Sequence, residues 1–151
     1  METVNKPSHP PHRVDTFRWE GQGYQPFVSH RGWLVALMNW EPRFDPANVG
    51  NVERHNRTDE IFVLTRGRGL LFVDSDDAIQ AIDMQPGVIY NVTSGTWHGV
   101  LGTHDAAWLI VESSDTDEEN SDYRQLSEKE LDALRGQYPA WLKSLQQAPS
   151  L

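Results

Sequence analysis

Two stretches of the chain carry histidines and carboxylates of the kinds that do chemistry in protein interiors. The first contains Glu53 and His55, followed after a short polar segment by Glu60, and the second contains His98. Side chains alternate between the faces of a strand, so Glu53 and His55, two residues apart, point to the same side. Imidazoles and carboxylates bind divalent metals, and a histidine beside a buried carboxylate can also act as an acid and base pair. Either chemistry requires a fold that brings both stretches into one interior.

Composition limits the partners and the ligand types. The chain has 151 residues, enough for one domain, with a formal net charge of -9 and no cysteine. Nucleic acids and anionic membranes bind clustered Lys and Arg, so we expect neither as a partner. A metal would have to bind histidines and carboxylates, because cysteine ligands are excluded. No signal-peptide core or long apolar run is present, which predicts a cytoplasmic protein that binds small molecules or other proteins.

Short apolar runs separated by Gly, Pro, Asn and Asp extend from residue 33 to residue 112. This pattern is typical of an all-β barrel or sandwich. The segments 56–59 and 74–77 are rich in turn residues, and we predict a hairpin loop at each. The expected organisation is a polar N-terminal arm at 1–20, a β-barrel at 21–114, and an acidic loop followed by helices at 115–151.

The C-terminal part of the chain has a different pattern. Residues 113–122 are acidic and lack large apolar side chains, which predicts an exposed loop. Ser127 and Glu130 form a capping-box signature, so a helix should begin there and end before Gly136. Pro139 suits the first turn of a second helix. We expect both helices to pack on the outside of the barrel or on a neighbouring protein.

The two stretches resemble the two sequence motifs of the cupin superfamily. The residues at the motif spacings are Glu53, His55, Glu60 and Gly67 in the first motif, and Gly87, Gly95 and His98 in the second. The sequence departs from the family pattern at Glu53, which replaces the first histidine, and at Ala47, Thr93 and Gly102. The resemblance implies an all-β, cupin-like double-stranded β-helix, or jelly-roll, barrel with two short C-terminal helices.

In cupins the corresponding residues of the two motifs bind one metal ion. The resemblance therefore implies metal ligands at His55, Glu60 and His98, with Glu53 as an irregular fourth. Two imidazoles and one carboxylate can also form the facial triad that holds iron, while manganese, nickel and zinc fit the same ligand types. If no metal is bound, His98 and Glu60 are the candidate catalytic acid and base.

Ordinary structural roles also fit these residues. His55 can be a histidine beside a turn, Glu60 a surface carboxylate, and His98 a hydrogen-bonded residue of the barrel. Most aromatic residues in the strand patterns should belong to the core. We predict that Phe62 and Tyr90 line the substrate pocket.

Three classes of function are compatible with this reading. The leading hypothesis is a small single-domain cupin that binds a small polar or carboxylated metabolite, as a metal-dependent enzyme of the isomerase, lyase or dioxygenase type. The alternative is a non-catalytic binding or sensor protein. A short stretch with His98 and Asp105 also resembles ureidoglycolate lyase, a cupin.

The third class is a partner-binding protein, because Tyr138 and Trp141 lie in a tail that we predict to be exposed. Cupins commonly dimerise and this chain is rich in Trp, so we expect a homodimer.

Overall fold

The computed structural model describes residues 14–75 and 78–147, which include ten β-strands. The strands are β1 Gly23–His30, β2 Trp33–Asn39, β3 Asn51–His55, β4 Glu60–Arg66, β5 Gly69–Ser75, β6 Ala78–Asp83, β7 Ile89–Val92, β8 Trp97–Gly102, β9 Ala107–Ser113 and β10 Ser121–Gln125. Two α-helices follow, α1 Glu128–Arg135 and α2 Ala140–Gln147. Short 3₁₀ helices lie at Pro42–Phe44 and Glu118–Asn120. The predicted N-terminal arm lies outside the described residues as far as residue 13.

The strands form two five-stranded antiparallel sheets. The first sheet has the order β1-β2-β9-β4-β7, and the second has the order β10-β3-β8-β5-β6. Strands that are distant in sequence therefore pair, as β2 does with β9 and β3 with β8. This arrangement is the jelly-roll barrel that the sequence predicted.

The interior of the barrel is built from alternate residues of the strands. In the first sheet, Ala36, Met38, Phe62, Trp108 and Ile110 are all at most 5% exposed. Their neighbours along each strand point to the other face, because successive side chains in a strand alternate. The core therefore fills one end of the barrel with apolar side chains.

The two helices cover the outer face of the second sheet. Leu134, Tyr138 and Leu142 pack with Leu70 and Leu101 in one buried cluster. Tyr138 is only 3% exposed, so our prediction of an exposed aromatic tail was wrong. The physical reason is that the outer face of this sheet is apolar and the helices bury it.

The capping box that begins α1 is confirmed. The Ser127 hydroxyl accepts a hydrogen bond from the Glu130 amide, and the Ser127 amide donates to the Glu130 carboxylate at 2.7 Å. The helix ends at Arg135, immediately before Gly136. The described part of the chain contains the α-helices α1 and α2. Neither is long and apolar enough to cross a membrane.

Two strands and one loop differ from the sequence prediction. All the apolar runs between residues 33 and 112 form strands, but β1 and β10 lie outside that segment. Residues 113–122 include the start of β10, which pairs along its length with β3. The segment 56–59 is a crossover between the two sheets and not a hairpin loop, because β3 and β4 belong to different sheets. By contrast, β5 and β6 pair as far as Ser75 and Ala78, as expected for a hairpin.

Candidate metal and ligand site

The two predicted stretches meet at one end of the barrel interior. Glu53 on β3 is directly opposite His98 on β8, and this single registered pair joins the first motif to the second. His55 lies two residues beyond Glu53 on the same face of β3. Glu60 begins β4 in the opposite sheet, which the crossover at 56–59 reaches in a few residues. The structure therefore brings together all four residues that the sequence predicted as ligands.

The ligand atoms of the four side chains are close enough to share one ion. One nitrogen or carboxylate oxygen from each of Glu53, His55, Glu60 and His98 lies within 4.8 Å of all the others. The Glu60 Oε2 atom is 3.1 Å from Nε2 of His55 and 2.8 Å from Nε2 of His98. Glu53 is the outer member, with its Oε1 atom 4.0 Å from Nε2 of His98.

The other ring nitrogen of each histidine has its own partner. Nδ1 of His98 is 2.9 Å from the carbonyl oxygen of Thr96. Nδ1 of His55 is 2.8 Å from the Ser121 hydroxyl, which itself donates to the carbonyl oxygen of Asp117 at 2.7 Å. These contacts hold both rings so that their Nε2 atoms face Glu60.

Sequence reasoning missed Ser121. It lies in an acidic segment without apolar alternation, and only the pairing of Ser121 with His55 across β10 and β3 places its hydroxyl beside the ring. A polar strand at a sheet edge has no local sequence signal of the kind that marks a buried strand.

Burial and the histidines act in opposite directions on the carboxylate at the centre. Burial is the largest effect on the Glu60 carboxyl and raises its pKa, but hydrogen bonds with His55 and His98 outweigh it and hold the pKa at about 2. Burial lowers the pKa of both histidines, whereas the contact with Glu60 raises it by more, so both pKa values lie above their ordinary value. The cluster therefore favours an ionised Glu60 next to positive charge.

The cluster opens into a cavity of about 840 Å³ between the two sheets. Phe62 lines this cavity, and its ring packs edge-on against His98 with centroids 5.7 Å apart. Tyr90 is not among the residues that line it, so that prediction was wrong. The Tyr90 ring packs against the apolar core, and its hydroxyl accepts a hydrogen bond from the backbone amide of Gln85.

Trp97, the neighbour of His98 on β8, and Asp105 both lie away from the cavity. Trp97 faces outward, as expected for the neighbour of an inward residue, and the guanidinium groups of Arg54 and Arg124 lie over its ring at 4.6 and 5.1 Å. Asp105, which contributed to the resemblance to ureidoglycolate lyase, accepts a hydrogen bond from the Thr103 hydroxyl on an exposed turn. Neither residue contributes to the candidate site.

A polar pair that the sequence analysis did not identify also lines the cavity. The Tyr24 hydroxyl on β1 donates to the Glu112 carboxylate on β9 at 2.5 Å. Burial raises the pKa of Glu112, and the negative charge of Glu60 raises it further. The hydrogen bond from Tyr24 lowers the pKa of Glu112 but does not outweigh these two effects. Burial and Glu112 also raise the pKa of Tyr24, which keeps its hydroxyl protonated at neutral pH. The two residues are 88 positions apart, so no local pattern relates them.

No protein-family model matches the sequence, and no curated protein matches it either. Several solved structures are similar. A Streptomyces PAC13 variant solved with uridine is 13% identical, covers 78% of this chain and 98% of its own, and superposes with a TM-score of 0.51. A cupin-2 domain protein from Shewanella frigidimarina is 24% identical over 62% of this chain and 83% of its own, with a TM-score of 0.45. KdgF from Halomonas is 13% identical over 64% of this chain and 81% of its own, with a TM-score of 0.47.

These likenesses concern the fold. The strand order and the likeness to the PAC13 structure show that this chain has a cupin-like jelly-roll barrel fold. The predicted fold class, an all-β cupin-like jelly-roll barrel, is thereby confirmed.

Proposed function

We propose that Glu53, His55, Glu60 and His98 hold a divalent metal ion, and that the chain is a metal-dependent enzyme that acts on a small polar metabolite in the barrel cavity. The positions of the histidine protons carry this proposal. A backbone carbonyl oxygen can only accept a hydrogen bond, so Nδ1 of His98, which faces the Thr96 carbonyl, carries the proton of the neutral ring. In that neutral form its Nε2 atom has only a lone pair to direct at Glu60, so their 2.8 Å contact requires a bound cation or a second proton on the ring.

The same reasoning applies to His55 through one more hydrogen bond. The Ser121 hydroxyl donates its single proton in a hydrogen bond to the Asp117 carbonyl. The hydroxyl oxygen must therefore accept a hydrogen bond from Nδ1–H of His55. In the neutral ring the Nε2 atom of His55 therefore also has a lone pair on the side of Glu60, and the same requirement for a cation or a second proton applies.

Two nitrogen lone pairs and two carboxylates thus converge in a largely buried space. Such an arrangement is repulsive unless positive charge lies between the groups. One divalent ion would balance the charges of Glu53 and Glu60 and use both lone pairs. Hydrogen bonds that fix the far nitrogen of a histidine are typical of metal-binding histidines.

A metal bound here would supply Lewis-acid polarisation of a substrate oxygen. The protein would orient its ligands through Ser121 and the Thr96 carbonyl, and the Phe62 ring would exclude water from one side of His98. Isomerase, lyase and dioxygenase chemistry all remain compatible with iron, manganese, nickel or zinc at this site.

Elemental analysis of the purified protein tests the proposal directly. We expect about one divalent metal ion per chain, and we expect His98→Ala to lose most of it while remaining folded. A crystal structure should place imidazole nitrogens about 2.0 to 2.2 Å from the ion. Unchanged metal content in His98→Ala, or a protein that binds none of the four metals, would contradict the proposal.

The alternative is a metal-free binding or sensor protein. The observation in its favour is that two protonated imidazoles would balance the charges of Glu53 and Glu60 as well as one divalent ion does, and the raised histidine pKa values agree with this. In that case Mn²⁺ should neither bind nor stabilise the protein. His98 and Glu60 would then be the candidate acid and base.

We also propose that two copies of the chain associate through the outer face of the first sheet. The two α-helices of the described residues pack on strands of the second sheet and leave this face without a helical cover. It is apolar at its centre, where Leu37, Val63, Leu109 and Val111 are partly buried, and Trp33 and Ile89 are 45% and 67% exposed. Exposed apolar surface of this kind is typical of protein interfaces. The dimer, like the cytoplasmic location, stays a prediction.

A further inference from the structure

The Tyr24–Glu112 pair has one hydrogen-bonding atom that the protein itself does not use. Tyr24 donates to Oε1 of Glu112, but Oε2 forms no hydrogen bond with any residue of 14–75 or 78–147. Both side chains line the cavity that contains the metal-ligand candidates. The second carboxylate oxygen is therefore available to a molecule bound in the cavity.

Glu112 lies beside the proposed metal site. The registered pair Ile61–Val111 joins β4 to β9, and Glu60 and Glu112 are each one residue further along these strands. In this register the two side chains are cross-strand neighbours, and both line the cavity. A molecule of a few heavy atoms could reach both the metal-ligand cluster and Glu112.

The charges that surround this position disfavour an anion. The acidic residues that line the cavity are Glu53, Glu60, Glu112, Asp117 and Glu118. Apart from His55 and His98, whose Nε2 atoms face Glu60, the cationic side chains in the lining are those of Arg43 and Arg124. Arg43 is paired with Glu41, and Arg124 is paired with both Asp74 and Glu130, at 2.7 and 2.8 Å. A divalent ion would be balanced by Glu53 and Glu60 alone, which leaves no charge to attract a carboxylate or phosphate.

We propose that Tyr24 and Glu112 are the specificity-determining residues of the cavity, and that they select a neutral ligand carrying hydroxyl groups over its carboxylated or phosphorylated counterpart. This inference rests on the proposed function, because it concerns the ligand of the same cavity. Glu112 accepts a hydrogen bond from a ligand hydroxyl, and Tyr24 holds the carboxylate in position. An anionic ligand group at this position would lie beside the carboxylates of both Glu60 and Glu112 and would be repelled by them.

The test compares matched neutral and anionic probes. Isothermal titration is carried out on Mn²⁺-loaded and metal-free protein with D-glucose and D-glucuronate, D-galactose and D-galacturonate, and uridine and uridine 5′-monophosphate. Uridine is included because the Streptomyces PAC13 structure contains it. We expect at least one neutral probe to bind, and to bind about tenfold or more tightly than its anionic partner.

Two variants assign the selectivity to the pair. Glu112→Gln should weaken the neutral probe by about 10- to 100-fold, the loss expected for a hydrogen bond to a charged group. The same change should strengthen the anionic probe. Tyr24→Phe should weaken the neutral probe by about 3- to 10-fold, because the carboxylate loses its orienting partner. Glu119→Gln is the matched control, since it removes the same charge from an exposed position outside the cavity lining and should alter neither affinity.

Separate outcomes report on the two proposals. If Mn²⁺ does not bind, the proposed metal site is wrong, while the ligand selectivity is still measured on the metal-free protein. If Mn²⁺ binds but the anionic probes bind as tightly as the neutral ones, the selectivity proposal is wrong. It is equally wrong if no probe binds, or if Glu112→Gln and Tyr24→Phe bind the neutral probe as the unmodified protein does.

Discussion

Replacing Ser121 by alanine tests how the protein sets the orientation of His55. The Ser121 hydroxyl lies 2.8 Å from Nδ1 of His55 and is buried, with the residue only 7% exposed. Alanine removes the hydroxyl and keeps the strand, because Ser121 takes part in β10 through its backbone. The Nδ1 proton of His55 then has no acceptor, and the ring is free to turn or to move its proton to Nε2.

The loss of the Ser121 hydroxyl should have two effects, one on metal affinity and one on stability. Loss of a group that orients a metal ligand typically lowers metal affinity about 10- to 100-fold, which corresponds to about 1.4 to 2.7 kcal/mol. A buried donor left without a partner costs about 1 to 3 kcal/mol of unfolding free energy. We therefore expect Ser121→Ala to weaken Mn²⁺ binding about 10- to 100-fold and to lower the stability of the metal-free protein by about 1 to 3 kcal/mol.

Isothermal titration with Mn²⁺ and urea unfolding measure the two effects separately. Ser144→Ala is the control, because Ser144 is exposed on α2 and its hydroxyl donates to the Ala140 carbonyl at 3.0 Å, far from the candidate site. The control should change stability by less than about 0.5 kcal/mol and leave metal affinity unchanged. If Ser121→Ala loses stability but binds Mn²⁺ as tightly as the unmodified protein, Ser121 does not set the tautomer of His55, and the argument for the metal site fails.

Two further changes test the helices and the proposed dimer. The bond with Arg124 holds the pKa of Glu130 at about 2, so Glu130 stabilises the fold above its ordinary pKa near 4.5, and this contribution is lost as the pH falls from there toward 2. Glu130→Gln should therefore lower the free energy of unfolding by about 0.5 to 1 kcal/mol at pH 7, and by almost nothing near pH 2. Urea unfolding at the two pH values measures this difference. An equal loss of stability at both pH values would contradict this reasoning. Leu109→Lys places a charge at the centre of the outer face of the first sheet and should convert a dimer to the 17.2 kDa monomer in light scattering. Gln85→Lys, at an exposed loop, should leave the mass unchanged, whereas a monomeric unmodified protein would refute the dimer.

The local elements and much of the site follow from short-range patterns in the sequence. Each apolar run between residues 33 and 112 became a strand, because alternation and turn residues act within a few positions. The same alternation put Glu53 and His55 on one face, and the capping box began α1 where the pattern predicted. The motif spacing related His98 to the first stretch across a long separation, which alternation by itself does not do.

The pairing of distant strands does not follow from local patterns and is seen only in the folded chain. That pairing also determines which other residues line the cavity. The pairing of β10 with β3 gave His55 its buried hydroxyl partner, and the closure of β1 and β9 into one sheet brought Tyr24 to Glu112. Polar edge strands carry no apolar alternation, so their place depends on backbone hydrogen bonds with partners far away in sequence. The same holds for Tyr138, which is buried because the second sheet presents an apolar outer face to the helix that follows it.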